Sequence, residues 1–334
     1  MKTLFAPNKE IPYYAAQTRK RKTPANSGEA TKKKGEKKMN MKTKSTLAAL
    51  GAVCAASAAF AADRLELNGA GGSFPAPLYQ AWSYAYTQSG LGAKVNYQSV
   101  GSSAGISQIK AGTVDFAGTD APLTADACKE AGLEQFHMVS GAVVPAVNLP
   151  GVASGALTLD GATLADIYLG KITRWNDAKI AALNPGLALP NLKITVVHRG
   201  DGSGTTHIFT TYLSTVSPEW KERFGAATQL KWPCGIAGQK NPGVCNNVRR
   251  IKGAIGYTEY TFALESKLSV AHLAVNGKTA APDAADWPIL GKTYILTRND
   301  TPAEKKAALQ AYFDWCFAHG GETAKKLHYL PVAR

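Results

Sequence analysis

The chain places its most chemically suggestive residues in the stretch HRGDGSGTT at residues 198–206, directly after the apolar run LKITVV. Three glycines, a serine, two threonines, an arginine and an aspartate stand together where a predicted strand ends and a predicted helix begins. Three interpretations fit these residues: a cradle for an anion, a nucleophilic serine on a tight turn, or a flexible loop without a ligand. The choice among them depends on what the rest of the chain brings to the same place.

Three other stretches, at 68–77, 99–105 and 116–122, share this order of strand end, small and hydroxyl residues, then helix start. The first turn of a helix has unpaired N–H groups and the positive end of the helix dipole, which together attract anions. Glycine lets the backbone approach a ligand, and serine or threonine adds a hydroxyl donor. Since ligands of open α/β sheets bind outside the carboxyl ends of strands, the four stretches predict one anion-binding cleft.

Known nucleotide-binding and catalytic motifs fit these stretches less well. A P-loop needs a lysine after its last glycine, which residues 198–206 lack, and residues 68–77 do not complete G-x-G-x-x-G. Ser203 stands one place too late for the nucleophile motif G-x-S-x-G, and the base nearest to it in sequence, His207, is predicted to have a packing or surface role. The six histidines show no metal-ligand spacing, so neither a metal nor another cofactor is predicted.

Helix and strand patterns alternate along the chain around these stretches. Residues 73–90 predict an amphipathic helix that starts at two prolines and ends at Gly90, and residues 93–100 alternate as a strand. Residues 140–149 form a continuous apolar run, which is typical of a strand covered on both faces. The alternation predicts an α/β protein with a mostly parallel sheet.

The N-terminal part of the chain is expected to stand outside this fold. Residues 1–40 are polar and lysine-rich, which predicts a disordered leader or an artefact of the start site. Residues 41–61 combine two lysines, an apolar segment and the small-residue box AFA, which predicts a secretory signal peptide. Most of the formal net charge of +14 comes from basic residues before Ala62, so the charge does not predict nucleic acid as a partner.

The cysteines carry a prediction of their own, because an exported protein folds in an oxidising compartment. Cys234 and Cys245 flank the glycine-containing loop GIAGQKNPGV and are predicted to form a disulfide. Cys128 and Cys316 are predicted to be buried small hydrophobic residues, although a second bridge between them stays open.

Six stretches, among them GAGGSFPAPLYQAW, VNYQSVGSSAGISQIKAGTVDFAGTDAPL and HRGDGSGTT, resemble the periplasmic phosphate-binding proteins of high-affinity phosphate ABC importers. The resemblance covers nearly the whole chain from Ala62. It implies a periplasmic-binding-protein type II fold of α/β class, with two α/β lobes joined by a two-strand hinge. Lobe I would be formed by residues 62–139 and 286–334, and lobe II by residues 140–285. The resemblance also implies a monomeric, non-enzymatic periplasmic protein that captures inorganic phosphate for a membrane permease.

Carried over position by position, the resemblance implies that phosphate contacts residues of all four stretches. Asp201 would pair with Arg199 instead of touching the ligand, and Ser73 stands where the family usually has threonine. The implied ligand residues are Ser73, Phe74, Ser102, Asp120, Arg199, Ser203, Gly204 and Thr205. Two departures from the family, the end of the chain at LHYLPVAR and the short segment HLAVNGKTAAPDAADWPIL, lie outside these stretches.

Asp120 is the predicted discriminator between oxyanions, since an ionised carboxylate can only accept hydrogen bonds. It would repel a dry anion unless that anion carries a proton, as phosphate does at neutral pH and sulfate does not. The alternative is that Asp120 caps the helix that follows Pro122. Two other functions stay open at this stage: binding of another oxyanion, and a phosphoesterase that uses Ser203 as its nucleophile.

Overall fold

Strands and helices alternate through residues 64–332, which are the residues that the computed structural model describes. The predicted leader at 1–40 and the predicted signal peptide at 41–61 lie outside the described residues. Within 64–332, no helix combines the length and the apolar character needed to cross a membrane.

Proline and glycine delimit the first helix, α1 (Ala76–Ser89). Pro77 occupies its first turn, where the missing N–H would have had no partner, and Gly90 ends it with a φ of 74°. The other helices are α2 (Ser102–Lys110), α3 (Ala125–Glu130), α4 (Gly161–Tyr168), α5 (Ala178–Leu183), α6 (Gly204–Val216), α7 (Pro218–Arg223), α8 (Lys240–Arg250), α9 (Tyr260–Glu265), α10 (Ala303–His319) and α11 (Gly321–Lys326). The strands are β1 (Glu66–Gly71), β2 (Lys94–Ser99), β3 (Phe116–Thr119), β4 (Leu133–Val147), β5 (Thr158–Asp160), β6 (Thr195–Arg199), β7 (Ile236–Gly238), β8 (Ala254–Glu259), β9 (Ser269–Val270), β10 (His272–Val275), β11 (Lys278–Ala280), β12 (Leu290–Arg298) and β13 (Tyr329–Pro331).

The large sheet is mixed. Its central order is β2-β1-β3-β12-β4-β8-β6-β7, and β9 and β13 also pair with β4. β1 runs parallel to β2 and β3, and β6 runs parallel to β7 and β8. The strands β4 and β12, however, run antiparallel to each other and to β8 and β3. The prediction of a mostly parallel sheet is therefore wrong at the centre, because an apolar run indicates two covered faces but not strand direction.

β4 and β12 connect two groups of parallel strands, which we call the β1 group (β1–β3) and the β6 group (β6–β8). The first part of β4, residues 133–142, pairs with β12, and its last part, residues 143–147, pairs with β8. One continuous apolar cluster packs along the sheet from Phe116 in β3 through Val143 in β4 to Tyr257 in β8. A separate small sheet has the order β11-β10-β5. The architecture is that of the type II fold implied by the resemblance.

The C-terminal segment of the described chain is joined to the sheet. β13 pairs antiparallel with residues 139–141 of β4. Before it, the Gly320 carbonyl accepts a hydrogen bond of 3.0 Å from Trp82 Nε1 in α1, and the Leu327 carbonyl accepts one from Thr261 Oγ1 in α9. The C-terminal segment therefore contacts the first helix, α9 and the central strand β4.

The predicted disulfide between Cys234 and Cys245 is wrong. All four cysteines of the described chain are free thiols. The Cys234 Sγ lies 3.6 Å from the Tyr168 carbonyl oxygen, whereas Cys245 is buried in α8 with its Sγ 3.5 Å from Thr258 Oγ1. The segment between the cysteines is ordered by β7 and the first turns of α8, which direct the two thiols to different neighbours.

Candidate anion-binding site

The strand-to-helix stretches meet at a buried cluster around Ser102 and Asp120. Ser102 opens α2, and its Oγ accepts a hydrogen bond of 3.1 Å from the backbone N–H of Gly204, the first residue of α6. The same hydroxyl lies 3.4 Å from Asp120 Oδ2, at the end of β3. Ser102 and Asp120 are 1% and 2% exposed, so residues from both strand groups come together out of bulk water.

Arg199, the last residue of β6, supplies the positive charge of this cluster. Its Nε and Nη2 donate to the two carboxylate oxygens of Asp201 at 2.8 and 2.5 Å, a two-point pairing that fixes the plane of the guanidinium. Its Nη1 lies 3.4 Å from Thr205 Oγ1 in the first turn of α6. The side chain is 1% exposed. The pairing of Asp201 with Arg199 that the resemblance implies is therefore present.

Ser73 and Phe74 lie just after β1, at the start of α1. Ser73 Oγ accepts a hydrogen bond of 3.2 Å from the backbone N–H of Asn241 in α8. The Phe74 carbonyl accepts one of 2.7 Å from the Tyr329 hydroxyl in β13, and the two rings pack edge to face. Both residues are buried, so this turn is held from two sides.

Ser203 caps helix α6. Its Oγ accepts a hydrogen bond of 3.0 Å from the backbone N–H of Thr206, and its own N–H donates to the Thr228 carbonyl. Among the hydrogen bonds of the described residues, none joins the His207 ring to this hydroxyl. His207 instead lines a cavity of about 270 Å³ together with Asp120, Tyr212 and other side chains. Among the described residues, the Ser203 hydroxyl therefore has the contact of a helix cap.

Gly204 is required by the closeness of this packing. A Cβ at residue 204 would lie 2.5 Å from both Asp120 Oδ2 and Ser102 Oγ, closer than real contacts allow. Gly72 is less confined, because a Cβ there would lie 3.1 Å from the nearest oxygens of the same two side chains. Glycine at 204 thus lets the N-terminus of α6 reach the carboxylate and hydroxyl of the β1 group.

The electrostatic environment sets Asp120 apart from an ordinary aspartate. Burial raises the pKa of Asp120 from 3.8 to about 7, although the hydroxyls of Thr293 and Ser102 and the charge of Arg199 act in the opposite direction. Asp120 Oδ1 is buried without a hydrogen-bond partner among the described residues. The capping alternative for Asp120 is wrong, because Thr124 caps α3 by accepting from the Ala127 N–H.

Three neighbours of the site are not evident from the sequence. Asn241 accepts a hydrogen bond of 3.1 Å from Arg199 Nη1, and the Tyr257 hydroxyl accepts one of 3.1 Å from the Arg199 backbone N–H. Tyr329 supports the Phe74 carbonyl, as described above. The one sequence signal for Asn241 is its place near a helix start in GQKNPG, a stretch that the sequence interpretation assigns only to the disulfide loop.

The donors of the cluster suit an anion better than a metal ion. Within residues 64–332, no three histidine, cysteine, aspartate or glutamate side chains group closely enough to hold a metal. The site instead combines one guanidinium, serine and threonine hydroxyls, and the N-termini of α2 and α6, with one carboxylate. This set can enclose a small oxyanion and accept one proton from it.

Comparison with known proteins agrees with this geometry. A family model described as a PBP superfamily domain matches residues 54–319. Phosphate-binding protein PstS of Xylella fastidiosa (strain Temecula1 / ATCC 700964) is 44% identical over 299 residues, covering 80% of this chain and 82% of that protein. Phosphate-binding protein PstS of Haemophilus influenzae (strain ATCC 51907 / DSM 11121 / KW20 / Rd) is 40% identical over 298 residues, covering 80% and 89%.

A solved structure shows the same fold. The phosphate-binding protein from Stenotrophomonas maltophilia superposes with a TM-score of 0.61 at 18% identity, covering 80% of this chain and 91% of that one. At this identity the likeness concerns the fold alone. The family model and the extent of the sequence matches, taken together, place the chain in the PBP superfamily and, within it, in the PstS family of phosphate-binding proteins.

Proposed function

We propose that this protein binds inorganic phosphate in the buried cluster around Ser102, Asp120 and Arg199 and delivers it to an ABC import permease. The observation that carries the proposal is the meeting of one guanidinium and one carboxylate, which can only accept hydrogen bonds once it is ionised, at the N-termini of two helices. Membership of the PstS family supports phosphate as the ligand and import as the task.

The donors come from both strand groups. Ser73, the Phe74 backbone and Ser102 donate from the β1 group, and the helix that starts at Gly204 donates from the β6 group together with Arg199. Ser203 and Thr205 add hydroxyls from the same turn. Each charge-assisted hydrogen bond of this kind is worth about 1.5–3 kcal/mol, so a handful of them supports affinity in the micromolar range or better.

Asp120 selects for an anion that carries a proton. Its Oδ1 has no partner among the described residues and can accept the hydrogen of a phosphate OH group. Sulfate brings no hydrogen at neutral pH or above, so once Asp120 is ionised the sulfate oxygens would face its lone pairs in a site from which water is excluded. Asp201 has the opposite task, because it is occupied by Arg199 and offsets part of that residue's charge.

Capture of phosphate would proceed by closure of two lobes about β4 and β12. Lobe I comprises residues 62–139 and 286–334, and lobe II comprises residues 140–285. Since the ligand residues divide between the lobes, phosphate stabilises the closed arrangement over an open one. The protein acts as a periplasmic monomer without catalytic activity, exported by the signal peptide predicted at 41–61.

Titration calorimetry of the full chain with phosphate and with sulfate tests the proposal. We expect phosphate to bind and sulfate to bind at least about 100-fold more weakly at about pH 8.5, where Asp120 with its pKa of about 7 is ionised; this is a difference of about 2.7 kcal/mol. Equal affinity for the two anions would refute the role of Asp120, and absence of phosphate binding would refute the proposed function. Hydrolysis of a phosphate monoester by the protein, abolished in Ser203→Ala, would favour a phosphoesterase instead.

A further inference from the structure

Asn241 occupies a position in the site that the predicted ligand residues do not account for. It is the second residue of α8, is fully buried, and donates its backbone N–H to Ser73 Oγ at 3.2 Å. Its side chain reaches Arg199 Nη1, the guanidinium nitrogen that also lies 3.4 Å from Thr205 Oγ1. The residue therefore stands between predicted phosphate contacts from both strand groups.

The two ends of the Asn241 amide are not equivalent. A guanidinium only donates hydrogen bonds, so the amide atom 3.1 Å from Arg199 Nη1 has to be the oxygen, Oδ1. That orientation leaves the Nδ2 group as a donor. Nδ2 is buried and has no hydrogen-bond partner among the described residues. Buried donors in native structures nearly always have a partner, so this one requires an explanation.

We propose that Asn241 is a phosphate-contacting residue, whose Nδ2 donates to the bound anion while its Oδ1 orients Arg199; this proposal rests on the proposed function. The N-terminus of α8, an eleven-residue helix, then faces the anion alongside those of α2 and α6. The phosphate gains a neutral donor without a further positive charge, which leaves the charge balance between Arg199 and Asp201 unchanged.

A role in positioning Arg199 alone would need only Oδ1. An aspartate at residue 241 would supply that acceptor equally well and would attract the guanidinium more strongly. It would present no donor, however, and would place a second carboxylate against the anion. Asn241→Asp keeps the contact with Arg199 and removes the donor, but it also adds a negative charge; retained affinity would therefore exclude a phosphate contact, whereas a loss is assigned to that contact only when the Asn241 side-chain N–H signal of the wild type also responds to phosphate.

The test measures the dissociation constant for inorganic phosphate by calorimetry in four forms of the full chain: wild type, Asn241→Asp, Asn241→Leu and the control Asn246→Asp. Asn246 is exposed on the same helix, so the control adds the same charge away from the site. We expect roughly 10- to 100-fold weaker binding for Asn241→Leu, the value of one hydrogen bond to a charged group, and a larger loss for Asn241→Asp. The control should stay within about twofold of wild type, as an exposed charge contributes little.

Nuclear magnetic resonance gives a readout independent of folding defects in the variants. The side-chain N–H pair of Asn241 in the ¹⁵N-labelled wild type, assigned by its disappearance in either variant, should move downfield on saturation with phosphate. Wild-type affinity in Asn241→Asp, or an Asn241 side-chain signal that phosphate leaves in place, would overturn the proposal. A wild-type protein that binds no phosphate would instead overturn the proposed function, and that result is visible before any variant is measured.

Discussion

Asp120 after β3 and Asp201 after β6 have the same side chain in different surroundings, and their pKa values are shifted in opposite directions. Asp120 is 2% exposed, and burial raises its pKa to about 7. Asp201 is partly buried, which opposes ionisation, yet the hydrogen bonds and charge of Arg199, with the Lys240 N–H, hold the pKa of Asp201 below its usual range. Ionised Asp201 completes an ion pair, whereas Asp120 keeps an oxygen open for a ligand.

The difference arises because Arg199 interacts more directly with Asp201 than with Asp120. Arg199 directs two nitrogens to Asp201 and only its Nη1 toward Thr205 and Asn241. The charge of Arg199 acts to lower the pKa of Asp120, but no direct hydrogen bond joins the two side chains among those of the described residues. Under the proposed function, a site that fully neutralised both carboxylates would lose the preference for a protonated anion that we propose for Asp120.

The largest effect is expected from removing Arg199, whose charge acts on both Asp120 and Asp201. Arg199→Ala deletes the guanidinium of the cluster and leaves Asp201 with only the Lys240 N–H as a partner, which costs at most about 3–5 kcal/mol of folding free energy, the range for buried ion pairs. We expect loss of phosphate binding by about a thousandfold or more, since several charge-assisted hydrogen bonds disappear together. Calorimetry and chemical denaturation measure the two effects. Near-wild-type affinity in a folded Arg199→Ala variant would contradict the assigned role.

The raised pKa of Asp120 predicts a pH-dependent stability difference. Between its ordinary pKa of 3.8 and its folded pKa of about 7, the folded protein keeps a proton that the unfolded chain has lost. Folding stability from this group therefore falls as the pH rises through that window, by at most about 4 kcal/mol. Asp120→Asn removes the penalty.

Denaturant unfolding of wild type and Asp120→Asn without phosphate, from pH 4 to pH 8, measures this difference. The variant should gain stability over wild type as the pH rises and reach a constant advantage above pH 7. Because Glu259, another buried carboxylate with a pKa raised by burial to about 8, is present in both proteins, its contribution cancels. A difference that is flat with pH would contradict the raised pKa.

Selectivity should respond to the same substitution. Asp120→Asn replaces an acceptor-only group by one that can also donate, so phosphate loses its special acceptor and sulfate meets a donor. We expect the ratio of sulfate to phosphate dissociation constants to fall by roughly 10- to 100-fold, as for one hydrogen bond to a charged group. Competition calorimetry at about pH 8.5, where the wild-type Asp120 is ionised, measures the ratio, and an unchanged ratio would count against the proton-based selection.

A smaller effect is expected at the paired aspartate. Asp201→Asn keeps the shape of the side chain but weakens its two hydrogen bonds to Arg199, so the guanidinium is held less firmly. We expect phosphate affinity to fall by about tenfold, with the preference over sulfate retained because Asp120 is untouched. If Asp201→Asn changed selectivity as much as Asp120→Asn does, the two aspartates would not have distinct tasks.

The smallest effect is expected at the turn formed by Ser73 and Phe74, which Tyr329 supports. Tyr329→Phe removes the hydroxyl that donates to the Phe74 carbonyl at 2.7 Å and keeps the ring contact. A lost neutral hydrogen bond costs about 1 kcal/mol, which we expect to divide between folding stability and phosphate affinity. Tyr84→Phe on the surface of α1 serves as the control, and equal behaviour of the two variants would show that the hydroxyl does not support the site.

The sequence is most informative for features that depend on residues adjacent to one another in the chain. The stretches that contain Ser102, Asp120, Arg199 and Gly204 can be found because each combines small residues with a strand end and a helix start. The helix α1 is predicted through its prolines and Gly90 for the same reason, since backbone conformation at these residues depends on the residue itself.

Contacts between distant parts of the chain are harder to predict from the sequence. Asn241 and Tyr329 act on residues far from them in sequence, and no local pattern reports such pairing. The antiparallel direction of β4 and β12 escapes prediction because hydrophobicity reports burial and not direction. The Cys234–Cys245 bridge is predicted from proximity in sequence, whereas α8 turns the Cys245 thiol toward β8.

The Tyr329–Phe74 contact joins residues 255 positions apart, and it links the turn at Ser73 and Phe74 to the last strand of the described chain. All the proposed ligand residues precede Tyr329 in the sequence, and Tyr329 itself only supports one of them. The turn at Ser73 and Phe74 consequently receives its final support only when nearly the whole chain is available to fold. We therefore expect phosphate binding to be among the last properties acquired during folding. Fragments that stop short of β13 should fold without the Tyr329 contact to the turn at Ser73 and Phe74.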